Sequence, residues 1–115
     1  MAAEKIFENK VKAFLKKEGA WLIKYWAGSE FTKSGIPDIL ACVNGIFVAI
    51  EVKAPTGKPS KLQLYTIDEI KLAGGVALVL YPKDFEKFKS LIRTIKQSQD
   101  KNFSYTWDLG IIQER

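Results

Sequence analysis

The stretch at residues 35–53, GIPDILACVNGIFVAIEVK, decides the fold of this chain. Two runs of strand-forming residues, 38–43 and 46–53, are separated only by Asn44 and Gly45. Asn-Gly between two apolar runs is the strongest short-range signal for a type I′ hairpin, because both residues readily adopt a positive φ. The stretch therefore predicts two antiparallel strands joined by a two-residue turn.

The register of this hairpin brings two acidic residues face to face. If Val43 pairs with Ile46, continuing the pairing outward places Asp38 directly opposite Glu51. Side chains in such a pair lie about 5 Å apart at Cβ on one face of the sheet. Two like charges there are destabilising unless a cation lies between them, and Mg²⁺ favours one or two carboxylates with waters and phosphate oxygens. The pair therefore predicts a site for a divalent ion, Mg²⁺ or Mn²⁺.

A lysine completes the charged end of the second strand. Lys53 lies two residues beyond Glu51, so strand alternation returns it to the same face, while Val52 points to the other. The Val52 carbonyl lies between them and is a further candidate ligand. A lysine here can orient the attacking water and stabilise transition-state charge, which suits phosphodiester hydrolysis. The alternative is an ordinary solvated strand end with surface charges.

Composition narrows the possible chemistry. The 115 residues are 47% hydrophobic and carry a net charge of +5, which favours a polyanionic partner such as nucleic acid. Histidine is absent, which excludes Ser-His and Cys-His triads and histidine-ligated zinc. The single cysteine, Cys42, forms no disulfide framework and is predicted to be a small buried hydrophobe. No apolar run approaches the ~18 residues of a membrane span, so a soluble, cytoplasmic protein is expected.

Three helices and further strands are predicted around the hairpin. Apolar residues within 4–18 recur at the spacing of one buried helical stripe, and 76–81 is apolar throughout, as in a strand buried on both faces. The remaining predictions are strands at 21–26 and 103–107, and helices at 60–73 and 84–97. This order predicts a single α/β domain over residues 1–115 with a mixed sheet, because a helix connecting 46–53 to 76–81 makes those strands parallel.

The charged residues and their spacing resemble a known nuclease signature. Residues 35–38 (GIPD), twelve further residues and then Glu51-Val52-Lys53 resemble the PD-(D/E)xK nuclease motif. The wider pattern is similar to its virus-type replication-repair nuclease (VRR-NUC) branch and to archaeal Holliday junction resolvases. The resemblance implies a restriction-endonuclease-like αβββαβ core and a metal-dependent DNA endonuclease. It assigns Asp38, Glu51 and the Val52 carbonyl as metal ligands and Lys53 as the catalytic lysine.

Two further residues are candidates for the same site. An acid on the first helix, Glu8 or Glu4, can reach the metal directly or through water; the family's distance to Gly19 favours Glu8, and a longer-helix pattern favours Glu4. A functional glutamine is implied at Gln63. Ser60 and Gln63 also match a capping box, in which Gln63 only caps the second helix.

The expected partner is branched or four-way DNA. Lys58 and Lys61, at the start of the second helix, are placed to hold a DNA phosphate. Lys33 and Ser34 are candidates for backbone contacts, or belong to an ordinary polar loop. Symmetric cutting of a junction requires two active sites, so a homodimer is expected. The alternative function is a basic nucleic-acid-binding module without catalysis, whose binding depends steeply on salt and not on divalent ions.

Overall fold

The computed structural model describes residues 2–26 and 34–98. These residues form three α-helices, a four-stranded sheet and one short 3-10 helix. In chain order the elements are α1 (Ala2–Lys17), β1 (Trp21–Lys24), β2 (Ile39–Val43), β3 (Ile46–Val52), α2 (Lys61–Leu72), β4 (Val76–Leu80), the 3-10 helix (Pro82–Asp84) and α3 (Phe85–Gln97). The mixed α/β fold with an αβββαβ core and a following helix is confirmed, and the bounds of the α-helices and strands lie within two residues of their predictions. The 3-10 helix was not predicted.

The β2–β3 hairpin has the predicted turn and register. Asn44 and Gly45 both adopt a positive φ, 51° and 79°, as a type I′ turn requires. Val43 pairs with Ile46, and the antiparallel ladder continues to the pair formed by residues 39 and 50. By the same register, Asp38 lies opposite Glu51 immediately beyond the last pair of the ladder.

The four strands are ordered β1-β2-β3-β4 in the sheet. β1 and β3 each pair antiparallel with β2, whereas β4 pairs parallel with β3. The parallel pair follows from α2, which connects the end of β3 to the start of β4 as a crossover. The backbone N–H of Lys53 donates to the carbonyl of Leu80, so the start of the loop after β3 is also held by β4.

The two faces of the sheet are covered unequally. Helices α1 and α3 pack on one face and bury its larger core, which includes the predicted stripe of α1. On the opposite face, Ile67 of α2 packs with Ala49, Ala77 and Val79. Helix α2 therefore covers β3 and β4, and the same face of β1 remains exposed at Trp21.

Cys42 is exposed, so its predicted burial was wrong. Cys42 lies on the α2 face of β2, paired across the sheet with Trp21 and Phe47, which are also exposed. Strand alternation puts Cys42 on the same face as Leu40, which packs against the core under α2. The position is in contact with solvent because α2 packs over β3 and β4 and does not cover it.

Three predictions are not tested by the residues that the structure describes. The strand at 103–107 and Lys33 lie outside the described residues. A single domain over all 115 residues stays a prediction. Within residues 2–26 and 34–98, no helix combines the length and the apolar character needed to cross a lipid bilayer.

Candidate active site

Asp38 is fixed at the open end of the hairpin by contacts on both sides of β2. Its Oδ2 accepts a hydrogen bond of 2.9 Å from the backbone N–H of Val52, and its carbonyl accepts one of 2.8 Å from Tyr25. The preceding Gly35 has a φ of +78°, and a Cβ there would lie 2.6 Å from Cγ of Leu62. The tight packing of this glycine on α2 sets the path of the chain into Asp38.

Glu51 is buried beside Asp38, with only 2% of its surface exposed. Its Oε2 accepts a hydrogen bond of 2.9 Å from Nε2 of Gln63 and lies 3.3 Å from Nζ of Lys53. Its Oε1 is buried without a hydrogen-bond partner among the described residues. Buried polar atoms in proteins are nearly always paired, so this oxygen marks the place where an additional group fits.

The burial of Glu51 and the charges around it change its pKa. Burial, and after it the charge of Asp38, raise the pKa of Glu51 to about 7, although Lys53 opposes the shift. The charge of Glu4 also contributes to raising this pKa. The carboxylate of Glu51 is therefore poorly stabilised by the chain alone near neutral pH.

Gln63 forms the capping box and also contacts Glu51, and its functional role stays a prediction. Its Oε1 accepts from the backbone N–H of Ser60 at 2.8 Å, and the hydroxyl of Ser60 accepts from the N–H of Gln63 at 3.1 Å, which completes the capping box. Its Nε2 remains available and donates to Glu51. Because the cap orients the amide, the two contacts of Gln63 are compatible with each other.

The helix-1 acids occupy different electrostatic environments. Glu8 is 3% exposed; its Oε1 lies 2.7 Å from Nζ of Lys24, and its Oε2 lies 3.3 Å from Nζ of Lys12. Burial alone would raise the pKa of Glu8, but Lys24 and Lys12 lower it below its usual value. In residues 2–26 and 34–98, no three Asp, Glu, Cys or His side chains are grouped to hold a metal ion. A direct metal contact from Glu8, rather than Glu4, stays a prediction.

Lys24 belongs to this cluster and was missed from the sequence. Its ammonium contacts both Glu8 and Asp38, at 2.7 and 3.4 Å. One signal was available: Lys24 lies two residues after Leu22, which packs against the larger core. A lysine on the inward face of a strand needs an acidic partner, since burial of an unpaired charge is costly.

The family comparison covers nearly the whole chain. The family model described as archaeal Holliday junction resolvase (Hjc) matches residues 3–109. The chain belongs to this resolvase family. Searches of curated proteins and of solved structures found no match. The match does not test the narrower VRR-NUC assignment, which stays a prediction.

Membership in the resolvase family establishes the broad activity predicted from the sequence. The chain is a structure-selective DNA endonuclease of the type that resolves Holliday junctions, and its DNA partner is branched. The alternative of a non-catalytic binding module finds no support in this membership. The predicted association with DNA recombination and repair is likewise supported.

The resolvase has candidate DNA contacts on its surface, two of them near the start of α2, whose Gln63 contacts Glu51. Ser34, Lys58 and Lys61 are exposed, and the last two precede or begin α2. Lys58 lines a surface groove of about 660 Å³ together with Lys83 and Tyr81, whose hydroxyl donates to the carbonyl of residue 57. These positions are compatible with contacts to a DNA backbone, and their role in binding stays a prediction.

Proposed function

We propose that this resolvase cuts four-way DNA junctions as a homodimer and depends on a divalent ion, Mg²⁺ or Mn²⁺. Asp38, Glu51 and the Val52 carbonyl are the proposed ligands, and Lys53 is the proposed catalytic lysine. The observation that carries the proposal is the buried Oε1 of Glu51, which has no hydrogen-bond partner within residues 2–26 and 34–98, beside the charge of Asp38.

The residues present fit a hard divalent ion. The donors are carboxylate and carbonyl oxygens, which suit Mg²⁺ and Mn²⁺. A divalent cation would satisfy Oε1 of Glu51 and offset the repulsion that raises the pKa of this group. Such an ion, when bound, supplies Lewis-acid stabilisation of charge on the phosphoryl group.

The chain itself positions the proposed ligands. Gln63 and Lys53 hold one oxygen of Glu51 and leave the other for a further ligand. The Val52 N–H fixes the carboxylate of Asp38. Lys53, with 15% of its side chain exposed, can approach a phosphate and stabilise negative charge that develops during P–O cleavage.

The remaining site assignments extend this proposal to the substrate. Glu8 is the proposed helix-1 acid. Lys58 and Lys61, beside the N-terminus of α2, are proposed to bind backbone phosphates, as are Ser34 and Lys33. Electrostatic contacts of this kind position a duplex without reading its sequence, which suits an enzyme that recognises DNA shape.

The uncovered face of the sheet supports the proposed homodimer. Trp21 and Phe47 are 64% and 44% exposed, and Cys42 lies between them in one cross-strand row. Ile23, on the same face of β1, is also exposed. A second copy is the proposed occupant, because a two-fold dimer supplies the two active sites that symmetric junction cutting needs.

Cleavage assays with defined substrates test the proposed metal dependence and junction preference. The full chain is incubated with labelled four-way, flap, single-stranded and linear duplex DNA, with Mg²⁺, with Mn²⁺ or with EDTA. We expect paired cuts in the four-way junction with either ion and none with EDTA. Equal cutting of linear duplex, or undiminished cutting in EDTA, would contradict the proposal.

Sedimentation equilibrium tests the dimer separately. We expect a dimer of the wild-type chain, and a monomer when Trp21 is replaced by Glu in the apolar row. Exchange of Lys96 for Glu is the surface control, since Lys96 lies on α3 and contacts Glu18. A wild-type chain that remains monomeric while it resolves junctions would contradict the homodimer.

A further inference from the structure

Lys24 is the cation that connects two acids from different elements of the site. Its Nζ lies 2.7 Å from Oε1 of Glu8 on α1 and 3.4 Å from Oδ1 of Asp38, next to β2. Asp38 in turn lies opposite Glu51 at the open end of the hairpin. Lys24 therefore connects the helix-1 acid to one of the proposed metal ligands.

The other lysines around Glu8 do not make this connection. Lys12 and Lys5 approach the opposite oxygen, Oε2, at 3.3 and 3.6 Å. Among the described lysines, Lys24 is the one that contacts Asp38 as well as Glu8. Lys12 thus offers a natural control: it has the same charge and contacts the same glutamate, but it lacks the bridge.

The environment of Lys24 keeps it charged and in place. Its side chain is 18% exposed, and the ring of Trp26 lies 5.4 Å from Nζ. The carboxylates of Glu8 and Asp38 both pair with its ammonium, one from each side of the cluster. A permanent positive charge therefore sits against a carboxylate that is a proposed ligand of a divalent cation.

This charge has opposite effects in the two states of the site. Without a metal, Lys24 reduces the repulsion among the clustered acids and so stabilises the fold. With a metal, the same charge repels the ion and competes for Asp38. Lys24 thus stabilises the metal-free site and weakens metal binding to the same site.

We propose that Lys24 is a positioning residue that holds Glu8 and Asp38 together in the metal-free protein and yields Asp38 when a divalent ion binds. The inference rests on the proposed metal dependence and adds a residue to it. Its signature is a pair of changes with opposite sign: removal of the charge lowers metal-free stability and raises metal affinity. A purely structural residue would lower both.

The test compares Lys24→Met and Lys12→Met in the full chain. Thermal unfolding is measured in EDTA, and Mn²⁺ affinity is measured by titration calorimetry without DNA. For Lys24→Met we expect a Tm about 4 °C lower or more and an Mn²⁺ affinity about fivefold higher, since one nearby positive charge is lost. For Lys12→Met we expect a change in Mn²⁺ affinity of about twofold or less, because it does not contact Asp38. Lys24→Arg keeps the charge and should return both values toward wild type.

The outcomes separate this inference from the function on which it rests. Weaker or unchanged Mn²⁺ binding by Lys24→Met, or the same gain in Lys12→Met, overturns the role of Lys24 while the metal site stands. A wild-type chain that binds no Mn²⁺ overturns the metal site and with it the competition assigned to Lys24. Opposite changes in Lys24→Met, with recovery in Lys24→Arg, establish the proposed role.

Discussion

The two ends of the β2–β3 hairpin differ in whether their polar side chains find hydrogen-bond partners. At the turn, Asn44 donates to the carbonyls of Ile95 and Ser98, at 3.0 and 2.8 Å, and so caps the end of α3. At the open end, Glu51 is buried with one oxygen unpartnered among the described residues. The turn end gains stability from its polar side chain, whereas the open end retains an acid that lowers it.

Within one hairpin, this contrast distinguishes a polar side chain that stabilises the fold from one that is a candidate for function. A polar residue that serves the fold finds its partners within the chain, as Asn44 does. A buried acid whose pKa is raised to about 7 is instead a candidate for ligand binding or catalysis. Variants at the two ends test whether they differ in function as their contacts indicate.

The largest effect is expected when the acids at the open end are neutralised. Asp38→Asn and Glu51→Gln should each reduce junction cleavage by about 10³-fold or more, because each removes a charge proposed to hold the metal. Single-turnover cleavage of a labelled four-way junction with Mg²⁺ measures the rate. Junction affinity in EDTA should remain within about threefold, since it depends mainly on basic residues.

The matched control for this charge change is Glu86→Gln. Glu86 is a highly exposed acid on α3 that pairs with Lys89 and has no ion pair with Asp38, Glu51 or Lys53 among the described residues. Its variant should cut junctions at the wild-type rate. Normal cleavage by Asp38→Asn or Glu51→Gln would remove the functional distinction between the two ends.

The second prediction is that Glu51→Gln stabilises the metal-free protein at high pH. The folded chain raises the pKa of Glu51 from 4.5 to about 7, so the folded state binds this proton more tightly than the unfolded state. The contribution of Glu51 to stability therefore falls as pH rises from about 4.5 to 7 and stays unfavourable above that range. Glutamine removes this penalty, which should add about 2 to 3 kcal/mol at pH 8.

Urea unfolding in EDTA at pH 8 and at pH 4.5 measures this difference. The two proteins should have similar stability at pH 4.5, where Glu51 is largely protonated in the folded state. Glu86→Gln should leave stability nearly unchanged at both pH values. A loss of stability in Glu51→Gln at pH 8 would show that the buried acid supports the fold in the way Asn44 does.

The sequence predicted the hairpin end well because its determinants are local. Asn44-Gly45 defines the turn, and the alternation of the strands then brings Asp38, Glu51 and Lys53 to one end. The contacts seen for Glu51 with Lys53 and Gln63 agree with that register. Such geometry follows from counting residues along two paired strands.

The missed features depend on how helices pack over the sheet. From the sequence alone, Lys24 is typical of a surface residue. Its ion pair forms because α1 places Glu8 over β1. The face of Cys42 follows from strand alternation, but its exposure is set by the position of α2. Sequence periodicity gives the direction of a side chain and does not give the extent to which a neighbouring element covers it.

The third prediction separates the two roles of Gln63. Gln63→Ala removes both the hydrogen bond to Glu51 and part of the capping box, whereas Ser60→Ala removes only the hydroxyl cap. Both variants should lose about 1 kcal/mol of stability. Only Gln63→Ala should cut more slowly, by about tenfold, as expected for the loss of one positioning hydrogen bond worth about 1.4 kcal/mol.

Urea unfolding and single-turnover cleavage of both variants provide the comparison. Equal loss of cleavage in Ser60→Ala and Gln63→Ala would mean that the cap, and not the contact with Glu51, accounts for the effect of Gln63. In that case the glutamine would resemble Asn44 at the turn end, since both would act only by ending or starting a helix.

The smallest effect is expected at the turn. Asn44→Ala removes two hydrogen bonds to the end of α3 and places alanine at a φ of 51°, so stability should fall by about 1 kcal/mol or somewhat more. Gly45→Ala, at a φ of 79°, should lose about 1 kcal/mol through backbone strain alone. Both variants should cut junctions at the wild-type rate at a temperature where they remain folded. Because the turn sets the register that brings Asp38 opposite Glu51, a large loss of cleavage in a folded Asn44→Ala protein would mean that the two ends are coupled through the strands and cannot be assigned separate roles.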